Sequence, residues 1–166
     1  DRDEALALAS KAESLSPMPR WRIGLLMIHM AVGDPQGARP YAADGSLEAA
    51  VVDAIIDPAR KGVAMALLAS APPGSRRVDN ALKSQTMAYI YLGEIDKAHE
   101  AARRSIDDRS MFPADFLALD ASPNFARFRA DPRFQQLVRD AGLLDYWRAV
   151  EWPDVCRPKG DGIECD

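Results

Sequence analysis

Along most of this chain apolar residues recur every three or four positions, and prolines and glycines cut the pattern into helix-length pieces. In "DRDEALALASKAESLSP" Leu6, Ala9, Ala12 and Leu15 fall at helical spacing, and Pro17 ends the run. "RWRIGLLMIHMAVG" is apolar nearly all round, which predicts a central helix stopped by Gly33. "DPQGARPYAADG" predicts a loop or at most a broken turn. Ser46 predicts the cap of "SLEAAVVDAI", and Asp57–Pro58 the opening of the helix that follows. Asp79 is the predicted cap of "NALKSQTMAYIYLG", which stops at Gly93, and "EIDKAHEAARRSID" follows at once. "FPADFLALD" predicts a short helix or turn. Ser122–Pro123 and Asp131–Pro132 open two more helices, the second ending at Gly142, and "DYWRAVEW" fits one or two turns before Pro153. No segment alternates with period two for long enough to predict a strand.

The helices come in pairs joined by very short turns. That pattern predicts an all-α stack of α-hairpins over one domain, residues 1–166, with an irregular middle and a non-helical tail at 153–166. In the clearest pair, residues 79–108, the small side chains of Ala88, Ala98, Ala101 and Ala102 let two helices approach closely. Tyr89, Leu92, Ile95 and Ile106 fill in around them, and Gly93 turns between them.

Composition narrows the class of function. The net charge of −4, from 21 Lys and Arg against 25 Asp and Glu, argues against a phosphate-binding surface. The pairs Arg76–Arg77 and Arg103–Arg104 lie among acids and read as solvated helix faces. No apolar run reaches the roughly 18 residues of a membrane span. The chain opens inside a charged helix, which predicts a piece of something longer. His29, on an apolar helix, is expected to be packed or at a helix face, and His99 in "DKAHEA" to be solvated. No nucleophile elbow, phosphate-binding glycine loop or zinc-protease motif occurs. The expectation is therefore a non-enzymatic domain without cofactor or metal.

The pair at 79–108 resembles the tetratricopeptide repeat, in the order Leu82, Thr86, Tyr89, Gly93, Ile95, Ala98, Ala102, Ser105. Residues 1–16 resemble the second helix of such a repeat, with Ala5, Ala9 and Ala12 at its intervals and its first helix missing upstream. The middle departs from the pattern, since Gly33 and Gly93 are 60 residues apart rather than twice a period of about 34. The closing "FRADPRFQQLVRDAGLLDYWRAVEWPDVC" is similar to the C-termini of bacterial proteins in which such repeats follow a winged-helix DNA-binding domain or a nucleotide cyclase. That resemblance implies a right-handed superhelix. It also implies a sensor or partner-binding domain of a transcriptional regulator, facing the periplasm behind a membrane span in an upstream segment. The rival readings are a structural scaffold and the regulatory half of a cyclase.

In a stack of this kind the first helix of each pair lines the concave side. The candidate groove residues are then Arg20, Ile23, Met27 and Met30 on one helix, and Asn80, Lys83, Met87, Ile90 and Tyr91 on another. Met27, Met87 and Tyr91 are expected to be partly exposed there; the alternative is that these methionines are core, shielded by the irregular middle segment. Methionine adapts to varied apolar partners, and Arg20, Asn80 and Lys83 could hold backbone or carboxylate groups. A protein, a peptide or a small ligand is the expected occupant. Nucleic acid is not, and self-association into a homodimer stays open.

The only cysteines, Cys156 and Cys165, lie in the tail. Without nearby histidine they fall short of a structural zinc site, and their spacing is not that of a CxxC redox pair. The intervening "RPKGDGIE" can turn the chain back, which predicts a disulfide. Closing this loop stabilises the ordered tail by roughly 2.7 kcal/mol on a chain-entropy argument. Trp147, Trp152 and Val155 could then stay docked on the last helices. Two free thiols in a cytoplasmic tail are the alternative; a disulfide agrees with the periplasmic placement that the resemblance implies.

Overall fold

The structure, a computed structural model, describes residues 2–15, 19–70, 85–108 and 123–166, with the backbone alone at 19–21. Those residues are mostly helical, with one short two-stranded sheet near Asp166. The chain gathers into two compact units, Asp1–Lys83 and Ser84–Asp166, and each is described by itself. The predicted cap at Asp79 and the stretch "FPADFLALD" lie outside the described residues.

In the first unit α1 (Arg2–Leu15) packs on α2 (Pro19–Ala31). A four-residue α3 (Pro35–Ala38) and a 3-10 turn (Arg39–Tyr41) occupy the expected broken segment. Next come α4 (Leu47–Ile56), a 3-10 turn (Pro58–Arg60) and α5 (Lys61–Ser70). Local chemistry explains the boundaries. Ser46 Oγ accepts the Ala49 amide at 3.1 Å, and Asp57 Oδ1 accepts the Ala59 amide at 3.1 Å ahead of Pro58. Leu25, Leu26, Met30, Val51, Val52 and Leu68 form the core, each fully buried aliphatic side chain contributing roughly 1.5–3 kcal/mol.

The second unit holds α6 (Gln85–Tyr91), α7 (Ile95–Asp107), α8 (Pro123–Ala130), α9 (Pro132–Asp140) and α10 (Leu143–Ala149). Strands β1 (Cys156–Lys159) and β2 (Gly162–Cys165) follow. The α6–α7 hairpin is packed through small residues as expected, with Ala88, Ala98, Ala101 and Ala102 all buried. Its turn repeats the one after α2. Gly33 and Gly93 both sit at φ 73°, their amides bonding the carbonyls of Met30 and Ile90. The next amides, of Asp34 and Glu94, reach back to His29 and Tyr89, the hydrogen-bond pair that terminates a helix in a left-handed residue. Around this hairpin Phe125, Phe128 and Phe134 are fully buried. Tyr91 meets Phe125 edge-on at 5.1 Å between ring centres, and Phe128 meets Phe134 likewise at 5.6 Å. Asp131 caps α9 by accepting the Arg133 amide at 2.9 Å.

Three expectations are corrected. The tail is non-helical, but it is an antiparallel hairpin in the register Cys156↔Cys165, Arg157↔Glu164, Pro158↔Ile163. Four residues per strand are too few to show an alternation, and only Cys156 and Ile163 turn fully inward. His99 is not solvated but 4% exposed. It lies four residues after Ile95 and three before Ala102, on the buried stripe of α7, and Phe128 covers its ring at 4.3 Å. Met87 and Tyr91, expected to be partly exposed, are 7% and 8% exposed. Helix α6 is buried throughout Thr86–Tyr91 because α7 and α8 both pack on it.

Candidate functional site

The predicted groove residues divide between the units. On α2 Ile23 and Met27 are half-buried and Met30 is buried. On α6 Met87, Ile90 and Tyr91 are all buried, so none presents an open face. The side chain of Arg20, and Asn80 and Lys83 altogether, lie outside the described residues.

An open concave surface occurs elsewhere, in the first unit. A cleft of about 390 Å³ is lined by Ser46, Ala49, Ala50 and Asp53 on the α4 side and by Arg60, Val63 and Leu67 on the α5 side, with Arg39 and Gly45 closing it. Helix α4 builds its wall by spacing. Val51, Val52 and Ala54 turn into the core, while Ser46, Ala50 and Asp53 share the other face at intervals of three and four. Val63 and Leu67, one turn apart on α5, are 61% and 37% exposed and give the cleft an apolar wall.

At one end of the cleft charges are linked. Asp53 Oδ1 accepts from Arg39 Nε at 2.6 Å and its Oδ2 from Arg60 Nη1 at 3.1 Å. Arg39 Nη2 also donates to Asp44 Oδ1 at 2.7 Å and its Nη1 to the Ala42 carbonyl at 3.3 Å. Hydrogen bonding to Asp44 and then Asp53 raises the pKa of Arg39 above that of a free guanidinium. Arg60 is held more loosely, with Asp57 Oδ2 at 3.9 Å from its Nε.

The two histidines each meet an aspartate that caps a helix. His29 Nδ1 donates to Asp34 Oδ2 at 2.8 Å, and Asp34 Oδ1 accepts the Gly37 amide at 3.0 Å. That amide first, and His29 second, hold the Asp34 carboxyl below the usual carboxylate range. Tyr41 stacks on His29 at 5.5 Å and donates to Glu13 Oε2 at 2.8 Å. Burial first, and Glu13 second, push its phenol up. Among the described residues neither ring nitrogen of His99 reaches a partner at hydrogen-bond distance; Nε2 stands 3.7 Å from Asp131 Oδ1. Burial lowers the pKa of His99, while Arg133 depresses that of Asp131 strongly. Neither histidine is set beside a nucleophile by these contacts. No group of three or more metal-ligating side chains occurs among the described residues.

In the tail the cysteine sulfurs lie 2.09 Å apart, disulfide distance, as the sequence predicts. Arg129 on α8, itself buried, donates from Nε to the main-chain oxygen of Asp166 at 2.8 Å. Trp147 is buried and meets Trp152 at 5.8 Å between ring centres, with Val155 half-buried nearby in the chain.

Sequence reasoning missed the α4–α5 cleft. One signal was available: Asp53 is a lone carboxylate inside the apolar run "AAVVDAII", and it asks for a partner. Arg39, in the irregular segment, could not be assigned to it from spacing. Comparison of the chain with protein-family models, with curated proteins and with solved structures finds no match.

Proposed function

We propose that this chain is a non-catalytic binding domain and that the α4–α5 cleft receives the ligand or partner. The observation that carries the reading is the cleft itself. It places exposed Val63 and Leu67 beside the Arg39–Asp53–Arg60 cluster, the mixture of apolar wall and a few oriented polar groups that ligand sites use. The resemblance of the closing segment extends this reading to the sensor domain of a bacterial transcriptional regulator built on a tetratricopeptide-like superhelix. The cysteine pair at disulfide distance is compatible with the oxidising periplasm, and no helix among the described residues is long and apolar enough to cross a membrane.

Methyl-labelled chain, screened by nuclear magnetic resonance against a library of small neutral and charged fragments, tests the binding reading. Hits should move the Val63 and Leu67 methyl resonances, and Leu67→Glu should abolish those shifts without unfolding the domain. Hits confined to other surfaces, or none, overturn the cleft as the site. The coding sequence upstream of Asp1 tests the regulator reading: a winged helix supports it, and a cyclase core or further repeats refutes it.

A further inference from the structure

This inference rests on the α4–α5 cleft being the binding site and names the partner that covers it. Helix α5 holds no charged residue from Gly62 to Ser70, in a chain that is 28% charged. A helix apolar all round is normally covered all round. Here only Ala64 and Leu68 are buried, where α5 packs on α4. Gly62, Val63, Ala66, Leu67, Ala69 and Ser70 are exposed. A Cβ built at Gly62 meets nothing within 4 Å, so the face is open from its first turn. Gly62, Ala66 and Ser70 recur every four positions and form a low stripe along which a second helix can approach closely.

Charge and shape identify the occupant. At the charged end of the cleft Asp53 already accepts from both Arg39 and Arg60, with Asp44 on Arg39 and Asp57 near Arg60. An apolar helix laid over the cleft therefore breaks no ion pair, whereas a charged surface pressed on α5 would strand its own charges. Ala49 and Ala50 leave room in the cleft for side chains of the size of Val63 and Leu67. The chain thus carries an uncharged ridge and a matching hollow side by side, which is what a two-fold contact requires. We infer that a second copy of this chain is the partner, the two α5 helices packing antiparallel about an axis at Ala66. That register sets Gly62 of each copy against Ser70 of the other and brings each Val63–Leu67 ridge to the other's cleft. Ten residues of helix span about 15 Å, so the contact falls short of the roughly 1,200–2,000 Å² of a stable interface. The dimer is accordingly weak and forms above roughly 0.1 mM.

The test is sedimentation equilibrium of the labelled 166-residue chain from about 20 µM to about 1 mM. The mean mass should rise from one chain towards two, and the Val63 and Leu67 methyl signals should move in step with it. Raising salt from about 0.05 to about 0.5 M should leave the rise intact, as an apolar contact predicts. Ala66→Lys, at an exposed position, should weaken self-association at least about tenfold with the melting curve unchanged. Gly62→Lys, where a side chain has open space, should do the same from the end of the stripe. Ser10→Lys, on the exposed side of α1, should have no effect. A chain that stays monomeric at about 1 mM, or one that dimerises equally well with Ala66→Lys and Gly62→Lys, overturns the second copy as partner. The fragment screen, run at about 20 µM, decides the cleft separately: hits at Val63 and Leu67 keep it as a site, and hits only elsewhere remove it.

Discussion

Gly37 shows how one hydrogen atom in place of a side chain can decide a local structure. A Cβ built at this position lies 2.1 Å from Asp34 Oδ2 and 2.3 Å from His29 Nδ1, inside the hydrogen-bonded pair. Gly37→Ala should therefore separate His29 from Asp34 and destabilise the first unit by about 1–3 kcal/mol in urea unfolding. Gly24→Ala is the control: a Cβ there meets nothing within 4 Å, and the position is interior to α2, so the change should stabilise by about 0.5–1 kcal/mol. His99 carries a second residue-scale prediction. Burial holds its pKa below the ordinary value, so the unfolded chain takes up the proton first as pH falls below about 6.5. Stability should then be full well above that pH and decline as pH falls through it, and His99→Phe should flatten the decline. Asp131, whose carboxyl is depressed, contributes in the other window: its share is present above about 3.9 and lost below it. A stability that does not change from pH 7 to 5 in the parent chain would rule out the His99 effect. Sequence reading placed His99 in solvent because the surrounding stretch "DKAHEA" carries Asp96, Lys97 and Glu100. Its helical neighbours Ile95 and Ala102 were the better guide.

At the scale of elements, the helices were legible because their ends carry their own chemistry. Ser46, Asp57, Asp131, Gly33 and Gly93 cap or terminate helices where their residue types say they should, and each does so through bonds within a few residues. What could not be read was any feature decided by a distant partner. Helix α6 looked like the lining of a groove, but α7 and α8 enclose it; the cleft forms instead between α4 and α5, from residues whose pairing needs Arg39. The hairpin was hidden for a related reason: its strands are short, and its order depends on the cysteine pair and on Arg129. Replacing both cysteines by serine should lower the stability of the tail by up to about 3 kcal/mol. Faster amide exchange at Ile163 and Glu164, with loss of the near-ultraviolet signal of Trp147 and Trp152, would report the change. Alkylation of the purified chain without reductant, read by mass spectrometry, should find no free thiol; two alkylated cysteines count against the bond.

For the molecule as a whole, buried side chains gather in each of the two units. Val51, Val52 and Leu68 are buried in one unit, and Phe125, Phe128 and Phe134 in the other. Among the described residues of the second unit, Tyr91, His99 and Phe134 pack on Phe125 and Phe128, which predicts a self-sufficient core for residues 84–166. Expressed alone, they should melt cooperatively with retained helical circular dichroism, and a non-cooperative, molten fragment would contradict that self-sufficiency. The cysteine pair also fixes how this unit responds to mechanical load. Cys156 and Cys165 face one another across the two strands at the open end of the hairpin. A pull applied at Asp166 passes from Cys165 through the sulfur bridge into Cys156, and the turn between them bears no tension. About 30 Å of chain contour is thereby hidden from a stretching experiment. It appears as extra extension only after a reductant is added.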